Sequence, residues 1–182
     1  DNQVTLFTRP RRFGKTLMMS MMSNFFSIRK DSRDIFEGLK ITEHQDFCGK
    51  WMNQYPVFFL SFKDVEADNF NDAYDMLIYR LSEVCIEVAD IVESERIDAA
   101  DKEVFARLKA KSAKTNEVKN ALKTIMRMLH AVYGKKVILL IDEYDVPLAR
   151  ANEKSSEDKA YYSSMLDVIK GIMSTALKDN EF

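Results

Sequence analysis

The chain has 182 residues, 46% hydrophobic and 31% charged, with 27 Lys+Arg against 29 Asp+Glu for a formal net charge of −2. That length suits one domain with an ordinary apolar core, and the near-neutral balance removes the global electrostatic case for nucleic acid. Cys48 and Cys85 lie far apart without metal-ligand spacing and read as reduced thiols of a cytoplasmic protein, while no apolar run approaches the ~20 residues of a membrane helix.

Val4 to Thr8 reads as a buried strand of a parallel sheet. The stretch Thr8-Arg9-Pro10-Arg11-Arg12-Phe13-Gly14-Lys15-Thr16 follows it and opens into a helix at Leu17. Strand, tight loop and helix, with Gly-Lys-Thr closing the loop, is the phosphate-binding arrangement of P-loop NTPases. Backbone N–H groups and the positive end of the helix hold phosphate there. Lys15 would reach the β- and γ-phosphates, and the Thr16 hydroxyl would ligate Mg²⁺. Gly14 would let the backbone close where a Cβ obstructs it. The full pattern is G-x-x-x-x-G-K-[ST], and Arg9 stands at its first Gly. The bland alternative is a surface loop with a solvated lysine.

The helix runs to about Ile28, with Leu17, Met18, Met21, Met22, Phe25 and Phe26 as an apolar stripe that reads as core filling. Ile35–Leu39 reads as a short helical turn, and Thr42–Gln54 as loop or irregular helix anchored by Phe47 and Trp51. Pro56–Phe62 is the second apolar strand. A helix from about Asn71 to Val92 follows, with Asn69, Asn71 or Asp72 as cap and a stripe from Tyr74 to Val88. Asp101–Ala110 is a shorter helix, and Thr115–Tyr133 another, stopped by Gly134. Lys102, Lys109, Lys111, Lys114, Lys119 and Lys123 cross these two helices and read as a solvated face balanced by acids.

Val137–Ile141 is the third strand, and it ends in Asp142-Glu143. A buried strand with acids at its C-terminal edge is the Walker B arrangement, placed where an α/β sheet puts its ligand crevice. Asp142 would hold Mg²⁺, directly or through water, and Glu143 would orient and polarise the attacking water. Val146-Pro147 ends this segment, Glu153–Asp158 is a polar loop, and a final helix spans about Ser156 to Lys178. His44 and His130 have no catalytic companions, and Phe13 and Tyr144 read as packing residues rather than adenine stackers.

Phe7–Leu17 and Ile141-Asp142-Glu143-Tyr144-Asp145-Val146-Pro147 together resemble the AAA-ATPase-like family of bacterial and archaeal proteins, as do Pro56–Phe62 and Ala176–Asn180. The resemblance runs over nearly the whole chain, and in that family Arg often replaces the first loop Gly. It implies an α/β fold, a P-loop NTPase of the AAA+/STAND kind with a three-layer αβα architecture and a mostly parallel sheet. It implies ATP and Mg²⁺ as cofactors, Arg9, Arg11, Arg12, Phe13, Gly14, Lys15, Thr16 and Leu17 at the nucleotide, Thr16 and Asp142 at the metal, and Lys15 and Glu143 in catalysis. In the family a restriction-endonuclease-like domain usually follows in cis. A fourth strand bearing a polar sensor residue lies between the first and third, after the helix that ends this chain. Residues 1–182 therefore read as a partial domain truncated at both ends, its sensor strand and C-terminal part lacking. The Val4–Thr8 and Val137–Ile141 strands are then expected to have a gap between them or to pair in another way, and a bare strand edge of that kind invites homo-oligomer formation or other self-association.

Arg9, Arg11 and Arg12 can stabilise phosphate, bind a macromolecule, or pair with Asp142, Asp145 or other acids. The first functional reading is Mg²⁺-dependent ATP hydrolysis through the variant Walker A (Arg9–Thr16) and Walker B (Val137–Glu143). The alternative is a nucleotide-dependent switch or interaction module with negligible hydrolysis. Glu143 favours the first; Arg9 and the missing strand favour the second. Nucleic-acid binding is the weakest reading, given the charge balance.

Overall fold

In the computed structural model, which describes residues 4–8, 13–153, 159–178 and 181–182, the runs around Phe58 and Leu140 form β1 (Val57–Ser61) and β2 (Ile138–Asp142). They pair in parallel, from Val57 opposite Ile138 to Ser61 opposite Asp142. Their near-continuous apolar character fits strands covered on both faces. Phe58 and Leu60 of β1 enter the main core, and Leu139 and Ile141 of β2 pack against it. That core is completed by Leu77 and Leu81 of α4 (Phe70–Glu87), Ile125 and Leu129 of α7 (Ala121–Tyr133), and Met165 and Ile172 of α9 (Lys159–Leu177). Strand alternation turns Leu140 and Asp142 to the opposite face, where α1 (Lys15–Phe26) meets both strands. The chain is a mixed α/β fold with a two-stranded parallel sheet among the described residues.

Between these elements lie α2 (Arg33–Phe36), a 3-10 turn at Lys40–Glu43 and α3 (Gln45–Trp51). A second 3-10 turn, Ala89–Glu93, precedes α5 (Ala99–Lys109) and α6 (Thr115–Lys119). Asn69 caps α4, its side chain accepting from the Asp72 N–H at 3.0 Å, and Gly134 closes α7 in the left-handed conformation, φ 64°. Trp51 stacks on Tyr55 with ring centroids 5.0 Å apart, as an anchor should, whereas Phe47 is exposed although its ring lies 6.0 Å from that of Phe25.

Four expectations need correction. Val4–Thr8 forms no strand, and Val4, Leu6 and Phe7 are exposed, because this segment makes no ladder with β1 or β2 and buries neither of its faces. The stripe on α1 is only partly core: Phe25 is buried, but Leu17 and Met21 face solvent, since the sheet beneath α1 is only two strands wide. The helix expected over Thr115–Tyr133 breaks at Asn120 (φ −101°, ψ 4°), whose side-chain amide donates to the Asn116 carbonyl at 2.8 Å, a local bond that competes with helix propagation. Val146-Pro147 opens a helix rather than merely ending a strand. It is the start of α8 (Val146–Glu153), where a proline in the first turn loses no hydrogen bond. Ser156, the expected start of α9, lies outside the described residues.

Asn53 ties the end of α1 to the approach to β1. Its amide donates to Ser27 O (2.9 Å), Asn24 O (3.2 Å) and Ser32 Oγ (3.0 Å), and its backbone N–H donates to Phe25 O (2.7 Å). Its φ of 55° is one that asparagine tolerates better than most residues. Asn53→Ala is expected to cost about 2–3 kcal/mol, because half-buried acceptors lose their donor. A denaturant midpoint unchanged from wild type would show that the clamp carries no stability.

Glu117 joins the loop between α5 and α6. Arg107 donates to it at 2.6 and 3.0 Å, and the Lys114 backbone N–H at 2.9 Å. The Arg107 hydrogen bond, then that of Lys114, holds the Glu117 carboxyl below its usual value. A depressed carboxylate contributes stability above its unfolded pKa and loses it as pH falls through the folded one. The melting-temperature gap between wild type and Glu117→Gln should therefore be full at pH 7. It should close on acidification below about pH 4, where an ordinary glutamate protonates.

Candidate nucleotide site

Two chain ends build the site: the C-terminal end of β2 and the N-terminal end of α1. Gly14 sits before α1 with φ 72°, a conformation that residues with a Cβ rarely adopt. A Cβ there would meet nothing within 4 Å, so the demand for glycine comes from the backbone angle rather than from obstruction by the protein. The Met18 N–H donates to Gly14 O at 2.9 Å as the helix begins. No side chain caps this N-terminus among the described residues, leaving its first amides with the partial positive charge that attracts anions.

Asp142 is 3% exposed and faces α1. The Thr16 hydroxyl donates to Asp142 Oδ2 at 2.7 Å, across a sequence separation of 126. This bond fastens the first turn of α1 to the end of β2. Lys15 is half-buried and lines a cavity of about 630 Å³ together with Asp142, Glu143, Tyr144 and Asp145. Lys15, Asp142 and Glu143 thus line the same cavity. The donors are hard oxygens, and no cluster of three or more His, Cys, Asp or Glu suited to a metal occurs among the described residues. One carboxylate and one hydroxyl fit a cation that takes its remaining ligands from phosphate and water, as Mg²⁺ does.

The cavity extends along β2. Ile138 N donates to Pro56 O and Phe62 N donates to Asp142 O, both at 3.0 Å, so the backbone groups of Ile138, Leu140 and Asp142 face β1. By alternation, those of Leu139 and Ile141 face the other way. Val4 to Phe7 line the same cavity, and Met22, Met126 and Met173 add apolar surface. Among the described residues β2 thus leaves one edge unpaired, and the cavity along it is largely apolar.

Arg9, Arg11 and Arg12 lie outside the described residues. Phe13 and Leu17 are 65% and 66% exposed, and Tyr144 is exposed too. The packing role read for Phe13 and Tyr144 does not hold, because no core lies over the mouth of the site. Met19 and Lys136 also line the cavity; neither carried a motif that could have marked it. His130 Nδ1 lies 2.9 Å from Lys135 O, joining α7 to the start of β2, a structural role. Of the lysine patch, Lys119 pairs with Asp167 at 2.6 Å, an acid that balances it, and Lys111 lies over the Tyr79 ring at 5.2 Å. Cys48 and Cys85 are unpaired, and burial pushes the Cys85 thiol up to about 12. No helix among the described residues is long and apolar enough to cross a membrane.

Among known proteins, the chain is 26% identical over 141 residues to an uncharacterized protein encoded in the vnfD 5′ region of Azotobacter chroococcum mcd 1. The match covers 78% of this chain and 22% of that protein, so the chain spans about a fifth of its relative's length. No solved structure matches it. A family model described as predicted AAA-ATPase matches residues 1–182, and the chain belongs to this AAA-ATPase-like family.

Proposed function

We propose that the chain is a P-loop NTPase domain of three-layer αβα architecture that binds ATP with Mg²⁺ and hydrolyses the β–γ bond. The observation that carries this reading is the 2.7 Å bond from Thr16 Oγ1 to Asp142 Oδ2, with Lys15 on the same cavity. Two motifs far apart in sequence supply the parts that phosphoryl transfer needs, and they do so at one place. Lys15 binds the β- and γ-phosphates, and the first amides of α1 hold their oxygens. Thr16 and Asp142 would hold Mg²⁺, which supplies charge neutralisation at the transferring phosphoryl group when bound. Glu143 orients the attacking water and accepts its proton. Arg9, Arg11 and Arg12, with Phe13 and Leu17, complete the nucleotide-binding segment.

The switch reading, binding with negligible turnover, draws on the unpaired edge of β2. The groove beside that edge suits the sensor strand that the resemblance implies, and without such a strand the catalytic end lacks one wall. The same edge offers a surface for self-association. Two unpaired thiols fit a cytoplasmic location.

The deciding experiment is an ATP titration with and without Mg²⁺. Binding should tighten at least about tenfold when Mg²⁺ is added, and Asp142→Ala should abolish that gain, because the variant loses one charge-assisted ligand. No binding under either condition ends the nucleotide reading. Binding without phosphate release favours the switch.

A further inference from the structure

Alternation decides where the residues of β2 point. Leu139 and Ile141 pack on the main core, and Asp142 turns to the other face, onto Thr16. One more step of the same alternation would send Glu143 in with Ile141, putting a carboxylate into an apolar interior at high cost. The chain does not take that step. Glu143 has φ 52°, is half-buried, and lines the cavity with Lys15 and Asp142. A residue with a Cβ seldom enters this left-handed region. The turn is held on both sides: Phe62 N donates to Asp142 O at 3.0 Å, Val146 N to Glu143 O at 3.1 Å, and Ala149 N to Asp145 O at 2.8 Å as α8 begins.

We propose that the left-handed backbone at Glu143 is a positioning device, a strained residue that breaks the strand alternation and turns the second of two consecutive carboxylates away from the apolar core. Successive residues of β2 from both faces line this cavity, Ile141 as well as Asp142, so the turn decides which side of the strand the Glu143 side chain takes rather than whether it lies on the cavity at all. The strain is local and is maintained by the hydrogen bonds on either side. The use of this geometry in hydrolysis rests on the function proposed above; the turn itself does not.

The test compares Glu143→Gly, Glu143→Asn and Glu143→Ala by denaturant unfolding, without nucleotide. At a positive φ the Gly variant should have a folding equilibrium constant at least about fivefold above that of the Ala variant, with Asn between them. An Ala variant as stable as the Gly variant overturns the proposal, because in ordinary backbone glycine is the less stable choice. A second measurement keeps the wild-type side chain. Carbodiimide-driven amine labelling of the folded protein should modify Glu143 and spare the buried Asp142. Protection of both carboxyls would put Glu143 in the core and equally overturn the proposal. Neither readout involves ATP, so a failure of nucleotide binding and a failure of the turn are separable.

Discussion

Glu143→Gln is expected to bind ATP within about threefold of wild type yet hydrolyse it roughly 10²–10⁴ times more slowly, the range for removing a positioned general base. That range corresponds to about 3–5 kcal/mol of transition-state stabilisation. Gln retains the length and shape of Glu, so the turn and the cavity lining persist while the carboxylate that accepts a proton from water is lost. Because binding and turnover respond differently, the pair of measurements separates this role from a structural one. Phosphate release equal to that of wild type would remove Glu143 from the mechanism and leave the nucleotide-dependent switch as the better account.

Lys15→Ala should act earlier, on binding itself. Lys15 is half-buried and lines the cavity with Asp142 and Glu143, and a charge-assisted hydrogen bond to phosphate is worth roughly 1.5–3 kcal/mol. The ATP dissociation constant should therefore rise about 10- to 150-fold. Calorimetry or a thermal shift reads this directly. ATP at a hundred times the wild-type dissociation constant stabilises by about 2.7 kcal/mol, which moves the melting temperature of a domain this size by roughly 5–10 °C. If Lys15→Ala binds a hundredfold more weakly, the same ATP concentration stabilises by only about 0.4 kcal/mol, and the shift nearly vanishes. An equal shift in both proteins would mean that the nucleotide sits elsewhere.

Local chemistry made much of this legible in advance. The apolar runs around Phe58 and Leu140 became strands because continuous apolar character suits a sheet buried on both faces. Asn69 and Gly134 ended helices for reasons contained within a few residues. Gly14-Lys15-Thr16 and Asp142-Glu143 carried their chemistry in their order. Where the reading failed, a distant neighbour decided. Val4–Thr8 has the composition of a strand, yet forms none without a partner beside it. Leu17 and Met21 have helical spacing, but among the described residues no third strand lies beneath them to cover them. Asn120 broke a helix through a side-chain bond that periodicity cannot register.

The sequence by itself determined the identity and order of the candidate site groups: an amine and a hydroxyl at a helix start, and two carboxylates at a strand end. Only the tertiary structure decided that Thr16 and Asp142 lie 2.7 Å apart, that Glu143 leaves the strand through a left-handed turn, and that β2, among the described residues, has an unpaired edge along a largely apolar cavity. Residue type and spacing act over a few positions through sterics and local hydrogen bonds. Convergence across 126 positions depends on which faces are buried together, and that is a property of the packed chain.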